Sequence, residues 1–241
     1  MSLRVLPAAA VIAAAALPAP PAHAGEWGGI FSAVTLTSDY RYQGVSNSDN
    51  HPAAQGYVHY GRPDGWYAGL FATTVDFNDY GTSYELDVYG GKNIRLDPKT
   101  ELKLQGLVTV FPDNRTPGPT YDFVQASVAV TRKTGPLTVS ALTSYVPEAS
   151  YGSGKAWRLE SEASYAVSPH LMLKGLVGRR WIDRGSDRNY WSLGAAATWN
   201  RLTLEVRYVD TNLSRARCGY NPDICGPAVV GSVTASLPPI L

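Results

Sequence analysis

Beyond its first 24 residues the sequence lacks an apolar run long enough for a transmembrane helix, which needs about 20 consecutive apolar residues. A helical membrane protein is therefore excluded for the rest of the chain. A membrane protein built from strands is not excluded, because a spanning strand needs only about 9 to 11 residues with every second one apolar.

Cysteine and histidine are scarce, with two and four residues respectively. Cys218 and Cys225 have no histidine near them in the sequence, so they do not complete a zinc site, and we expect neither a metal nor a cofactor. In an exported chain the two cysteines instead predict a disulfide that closes a small loop and stabilises it by about 2 to 3 kcal/mol. No nucleophile elbow accompanies the histidines, and we expect the protein not to be an enzyme.

An excess of charge of one sign is also missing. Arg4 is the only charged residue among the first 24, so the 21 Lys and Arg residues fall to 20, against 20 Asp and Glu. A formal charge of zero argues against nucleic acid as a partner, because nucleic-acid-binding domains are usually basic.

The first 24 residues have the pattern of a cleaved signal peptide. Arg4 supplies the positive charge, residues 5–17 form a short apolar segment, and Ala22, His23 and Ala24 end in the small-residue pattern of a cleavage site. The sequence thus predicts a signal peptide at 1–24 and one domain at 25–241.

Tyrosine, tryptophan and glycine are abundant, with 15, 6 and 23 residues, and they favour strands and turns over helices. Apolar and polar residues alternate at period two in about twelve segments. Short turns alternate with longer polar loops, and aromatic residues lie mostly near the segment ends, as in outer-membrane barrels. We therefore predict an all-β fold, a transmembrane antiparallel up-and-down β-barrel of about 12 strands with both termini in the periplasm. A secreted β-sandwich or lectin-like fold is the alternative, because it shows the same alternation.

Three stretches resemble one known family. The sequence SDYRYQGVSNSDNHPAAQGYVHY at residues 38–60, GWYAGLFATTVDF at 65–77 and YELDVYGGK at 84–92 are similar to the proteobacterial TorF-family porins, also known as Gcw_chp proteins of unknown function. Family members typically have an arginine just before the glycine that corresponds to Gly44, whereas this chain has Gln43 there and Arg41 two residues earlier. The resemblance implies an outer-membrane barrel with a pore.

Alternation also predicts which charged side chains face the lumen. The predicted pore-lining residues are Asp39, Arg41, Glu85, Asp87, Lys103, Arg158, Glu160, Glu162, Lys174, Arg180, Glu205 and Arg207. In this reading Asp39 and Arg41 continue the first strand, while Tyr40 and Tyr42 on its other face meet lipid. With Glu101 included, seven acids oppose six bases, which predicts a small conductance with weak ion preference.

The prediction for function is a narrow porin or channel in the outer membrane of a Gram-negative bacterium, for passive diffusion of small hydrophilic solutes. Twelve strands lie between the eight that side chains can fill and the sixteen of general porins. The expected partners are outer-membrane lipids and the solutes, and the sequence does not indicate an oligomeric state. Two alternatives are a non-conducting receptor, adhesion or structural barrel with a salt-bridged lumen, and an outer-membrane lipid hydrolase.

Overall fold

The computed structural model describes residues 13–14, 17–18, 28–78, 81–115, 120–218 and 221–240. Most of the predicted signal peptide, including its cleavage site, lies outside the described residues; the short strands Ala13–Ala14 and Leu17–Pro18 pair with each other. No helix in the described ranges is long and apolar enough to cross a membrane.

Twelve antiparallel strands, each paired with its neighbours in the sequence, close into a barrel because the last strand pairs with the first. They are β1 (Gly29–Thr37), β2 (Ala53–Gly61), β3 (Trp66–Thr74), β4 (Tyr84–Asp97), β5 (Thr100–Val110), β6 (Phe123–Thr134), β7 (Leu137–Ala149), β8 (Gly154–Ala166), β9 (Leu171–Ile182), β10 (Arg188–Trp199), β11 (Leu202–Thr211) and β12 (Ala228–Ser236). Two 3₁₀ turns, Ser150–Gly152 and Arg215–Arg217, lie between strands. The predicted all-β barrel of about 12 strands is confirmed.

Strand β8 shows why the sequence folds this way. Its side chains alternate between buried and exposed along almost its whole length. Arg158 and Glu160 are about 4–5 % exposed and face the interior, whereas Trp157 and Leu159 are 51 % and 52 % exposed and face outward. The polar face is therefore inside and the apolar face outside, the reverse of a soluble β-sandwich.

The same apolar exterior surrounds the barrel. Exposed aliphatic side chains cover the middle of the strands and exposed aromatic side chains lie near their ends, a distribution that suits a lipid bilayer. The exposed residues include Leu36, Val58, Leu70, Val88, Val108, Val177, Leu193 and Val206, with Trp66, Tyr84, Trp157, Tyr165, Trp181 and Trp199 among the aromatics.

Connections differ in length at the two ends of the barrel. At the end that we call the turn end, strands are joined by two to four residues, as between β6 and β7 at 135–136. At the opposite loop end the connections at 38–52, 111–122 and 212–227 are much longer. The outer ends of β1 and β12 both lie at the turn end, where Ile30 pairs with Ile240. That this end faces the periplasm stays a prediction.

The structure differs from the sequence-based prediction immediately after β1. That strand ends at Thr37, so Asp39 and Arg41 do not lie on the barrel wall as predicted. The prediction that Tyr40 and Tyr42 meet lipid was also wrong, because Tyr40 is only 3 % exposed and both residues belong to a segment inside the loop end.

Candidate functional site

A tight turn explains why the first strand does not continue. Arg41–Tyr42 pairs with Val45–Ser46 as a small hairpin inside the barrel. The two residues between them, Gln43 and Gly44, have φ values of 53° and 83°, and a two-residue type I′ turn requires positive φ at both positions. We call residues 38–52 the plug and this pair of strands the plug hairpin.

The Asp39 carboxylate organises the plug. It accepts hydrogen bonds from Arg41 Nε at 2.5 Å, Ser46 Oγ at 2.6 Å and Ser48 Oγ at 3.2 Å. Arg41 also donates to the carbonyl oxygen of Gly44 at 3.1 Å. The side chains of Asp39 and Arg41 are only 7 % and 2 % exposed, so this is a buried ion pair whose remaining polar atoms are satisfied.

Tyr40 anchors the plug to one wall of the barrel. Its hydroxyl donates to Glu85 Oε1 on β4 at 2.9 Å. Tyr40 lies in the segment between strands, and burial, reinforced by the Glu85 carboxylate, raises its pKa well above the usual range. The phenol therefore keeps its proton and stays a hydrogen-bond donor.

The opposite wall holds the hairpin itself. Arg188 Nη2 on β10 donates to the Tyr42 carbonyl oxygen at 3.4 Å and to Gln43 Oε1 at 3.2 Å. Strands β4 and β10 are six positions apart in a ring of twelve, so they lie on opposite sides of the barrel. The plug therefore spans the lumen from wall to wall.

The last long loop backs the plug hairpin. Cys218 and Cys225 form a disulfide there, with Cα atoms 5.6 Å apart. Together with Ile224 they form a buried apolar cluster against which Val45 of the plug packs. The Ile224 carbonyl oxygen accepts from Ser46 N at 2.8 Å, so the disulfide-closed loop fixes the position of the hairpin.

Two carboxylates lie on one wall beside the plug, and three arginines lie on the other. On β4, Glu85 and Asp87 are 5 % and 2 % exposed, and Asp87 accepts a 2.5 Å hydrogen bond from Thr109 Oγ1. On the other side, Arg158, Arg180 and Arg188 are successive neighbours on β8, β9 and β10. We call these three residues the arginine row.

The remaining predicted lumen residues fall into two other groups. Lys103 Nζ lies 5.1 Å from the ring centroid of Tyr67, in an aromatic part of the wall. Lys174 Nζ donates to Glu205 Oε2 at 2.8 Å, two strands away. That pair lines a recess together with Glu162 and Arg207. Glu162 therefore lies with the Lys174 group and Glu160 with the arginine row.

Aromatic side chains cover the inner face of the wall from β2 to β4. His59 stacks against both Tyr67 and Tyr89, with ring centroids 5.3 and 6.0 Å away, and its Nδ1 is 3.4 Å from the Tyr89 hydroxyl. Phe71 is only 1 % exposed beside them. This part of the lumen is therefore packed with side chains.

Sequence reasoning missed Arg188 and Tyr190, because the glycine and alanine residues that follow them blur the two faces of this strand. In the structure β10 begins at Arg188, and Tyr190 is 2 % exposed with its hydroxyl on Glu160 Oε2 at 2.8 Å. Alternation could have found both, since Arg188, Tyr190 and Ser192 share one face with glycine at position 194.

A second polar cluster lies at the rim of the loop end. One ligand-type atom from each of Asp49, His51 and Asp76 lies within 4.8 Å of the others. His51 Nδ1 is 3.7 Å from Asp76 Oδ2, and Asp49 Oδ1 accepts a hydrogen bond from Asn221 at 2.5 Å. These contacts connect the plug to two neighbouring loops, and we assign the cluster to that role.

The family comparison agrees with the sequence motifs. The profile of the Gcw_chp family, described as a bacterial protein of unknown function, matches residues 25–236. The chain therefore belongs to the Gcw_chp family. This confirms the Gcw_chp resemblance, whereas the TorF assignment stays a prediction. No curated protein of matching sequence was found.

Solved porins share the fold. The KdgM porin in complex with disordered oligogalacturonate is similar with a TM-score of 0.59 and 6 % identity, over 87 % of this chain and 98 % of that one. The NanC porin is similar with a TM-score of 0.58 and 12 % identity, over 86 % of this chain and 99 % of that one. At such identities the likeness concerns the barrel alone.

Proposed function

We propose that this Gcw_chp protein is a narrow channel in the outer membrane of a Gram-negative bacterium, through which small hydrophilic solutes diffuse passively. The observation that carries the proposal is the plug, which spans a polar lumen inside a closed barrel with an apolar exterior. A segment held across a lumen narrows the path and thereby sets the size of solute that passes.

The way the plug is attached supports its role as a constriction. It is attached to the wall at a few defined points, including the Tyr40 hydroxyl on Glu85 and Arg188 on the hairpin. Most of its other hydrogen bonds are internal or made to loops. One of the porins with this fold was solved with oligogalacturonate, which supports a hydrophilic solute as cargo.

Conductance in planar lipid bilayers tests the proposal. We expect the wild type to conduct weakly and Tyr40→Phe to conduct more, because that variant loses the hydrogen bond to Glu85 and weakens the attachment of the plug to β4. Tyr60→Phe is the matched control, since Tyr60 is 51 % exposed on the outer face of β2 and should leave conductance unchanged.

Swelling of liposomes in neutral sugars of increasing size provides the second measurement. The size limit should rise in Tyr40→Phe and stay fixed in Tyr60→Phe. Heat-dependent gel mobility should first show that the wild type, Tyr40→Phe and Tyr60→Phe are folded. If none of the three then conducts in bilayers, the channel is contradicted and the non-conducting structural barrel is favoured.

A further inference from the structure

Three positive charges share one small patch of the lumen. Arg158 is directly opposite Arg180 in the strand register, and Arg180 is directly opposite Arg188. Directly opposite residues have Cβ atoms about 4.5 to 5.5 Å apart, and like charges placed in this way destabilise a sheet. A compensating negative charge is therefore needed on this wall.

Only part of that compensation comes from the protein. Glu160 Oε2 lies 3.9 Å from Arg158 Nη1, and the same oxygen accepts the Tyr190 hydroxyl at 2.8 Å. Among the described residues, Glu160 is the carboxylate that forms an ion pair with the row, and it does so with Arg158 alone. Arg158 Nη1 and Arg188 Nε are buried and have no hydrogen-bond partner.

The other contacts of the row are with neutral groups. Arg158 Nε donates to Ser144 Oγ at 3.2 Å, and Arg188 Nη2 donates to the plug as described. Arg180 makes no hydrogen bond or ion pair within the part of the chain that the structure describes, and it is partly exposed to the lumen. Its guanidinium therefore has N–H donors that no described residue of the protein occupies.

We propose that the arginine row is a binding site for the oxyanion group, carboxylate or phosphate, of a small hydrophilic solute. Guanidinium groups present parallel N–H donors that match these planar or tetrahedral oxygens, and charge-assisted hydrogen bonds are the strongest of their kind. The inference rests on the proposed function and deepens it, because it names the class of solute that the lumen would take up beside the plug.

Isothermal titration calorimetry of the detergent-solubilised protein at low salt tests the site. The probes are sodium D-glucuronate for the carboxylate, sodium phosphate for the phosphate, and D-glucose as the neutral counterpart. We expect at least one anion to bind and glucose not to bind. Arg180→Gln should lower the affinity for that anion by about tenfold or more. Arg180→Lys, which keeps the charge, should restore part of the affinity.

Arg179→Gln is the matched control. It removes the same charge one residue away on the outer face of β9, where Arg179 is 49 % exposed, and should leave affinity within about twofold of wild type. The proposed site is refuted by any of three results: neither anion binds, glucose binds as tightly as the anions, or both glutamine variants lower the affinity by the same factor. Calorimetry in detergent does not depend on conduction, so a barrel that binds the anion but does not conduct refutes only the channel.

Discussion

Replacing Asp39 with alanine should release the plug without unfolding the barrel. The substitution removes the acceptor shared by Arg41, Ser46 and Ser48. The Arg41 side chain, 2 % exposed, then loses its carboxylate. Breaking a buried pair in this way costs about 3 to 5 kcal/mol. Because Arg41 keeps hydrogen bonds to backbone oxygens of Gly44 and Gly226, we expect the lower end of that range.

That cost falls on the plugged state alone, since the barrel strands are paired with one another. A loss of about 3 kcal/mol raises the population of released plug about a hundredfold. Limited proteolysis with trypsin measures this population, because the peptide bond after Arg41 is buried in the plugged state. When release is fast relative to cleavage, the rate of cleavage at Arg41 rises by the same factor.

Asp64→Ala is the matched control for that experiment. Asp64 pairs with Arg62 at 3.1 Å, but both side chains are at least half exposed, and exposed pairs of this kind contribute about 0 to 1 kcal/mol. It lies in the turn between β2 and β3, away from the plug. Equal cleavage at Arg41 in the wild type and in Asp39→Ala would refute the role of Asp39 as the organiser of the plug.

Three further predictions concern the same region. Gly44→Ala should also raise trypsin cleavage of the plug. Position 44 has a φ of +83°, which alanine rarely adopts, and the added Cβ would lie 2.9 Å from Tyr190 Cβ. Cys218 and Cys225 should resist alkylation until a reductant is added; modification of both thiols beforehand would contradict the disulfide. Glu160→Gln should shift the reversal potential in a salt gradient towards anion preference, because Arg158 loses its nearby carboxylate, and an unmoved potential would count against conduction past this wall.

Much of the barrel follows from the local sequence. In β8, polar residues alternate with apolar ones without interruption, so strand type, inward face and lipid face can all be predicted from one period-two pattern. The same pattern places Arg158, Glu160 and Glu162 inside. Strands whose small residues blur the two faces, such as β10, are harder to predict, and Arg188 at the start of β10 was missed for that reason.

The plug was not predictable in the same way, because its sequence also alternates. Asp39, Tyr40 and Arg41 continue the period of β1, and nothing in the alternation marks the end of the strand. The deciding signal is the turn at Gln43 and Gly44, which needs positive φ twice. Non-glycine residues rarely adopt positive φ, so Gln43 gave little warning, and the contacts that stabilise the hairpin come from strands far along the chain.

The arrangement of charges matters more for this lumen than their sum. A nearly neutral count predicts weak ion preference, but the charges beside the plug are distributed unevenly: Glu85 and Asp87 lie on β4, and the three arginines of the row lie on β8 to β10 with Glu160 as their paired acid. Glu85 accepts a hydrogen bond from the plug and Asp87 is 2 % exposed, so neither carboxylate is freely offered to a solute. Arg180, by contrast, is partly exposed and unpaired in the described part of the chain. Since low-dielectric walls focus the field of accessible charges, the path past the plug should favour anions despite the balanced total.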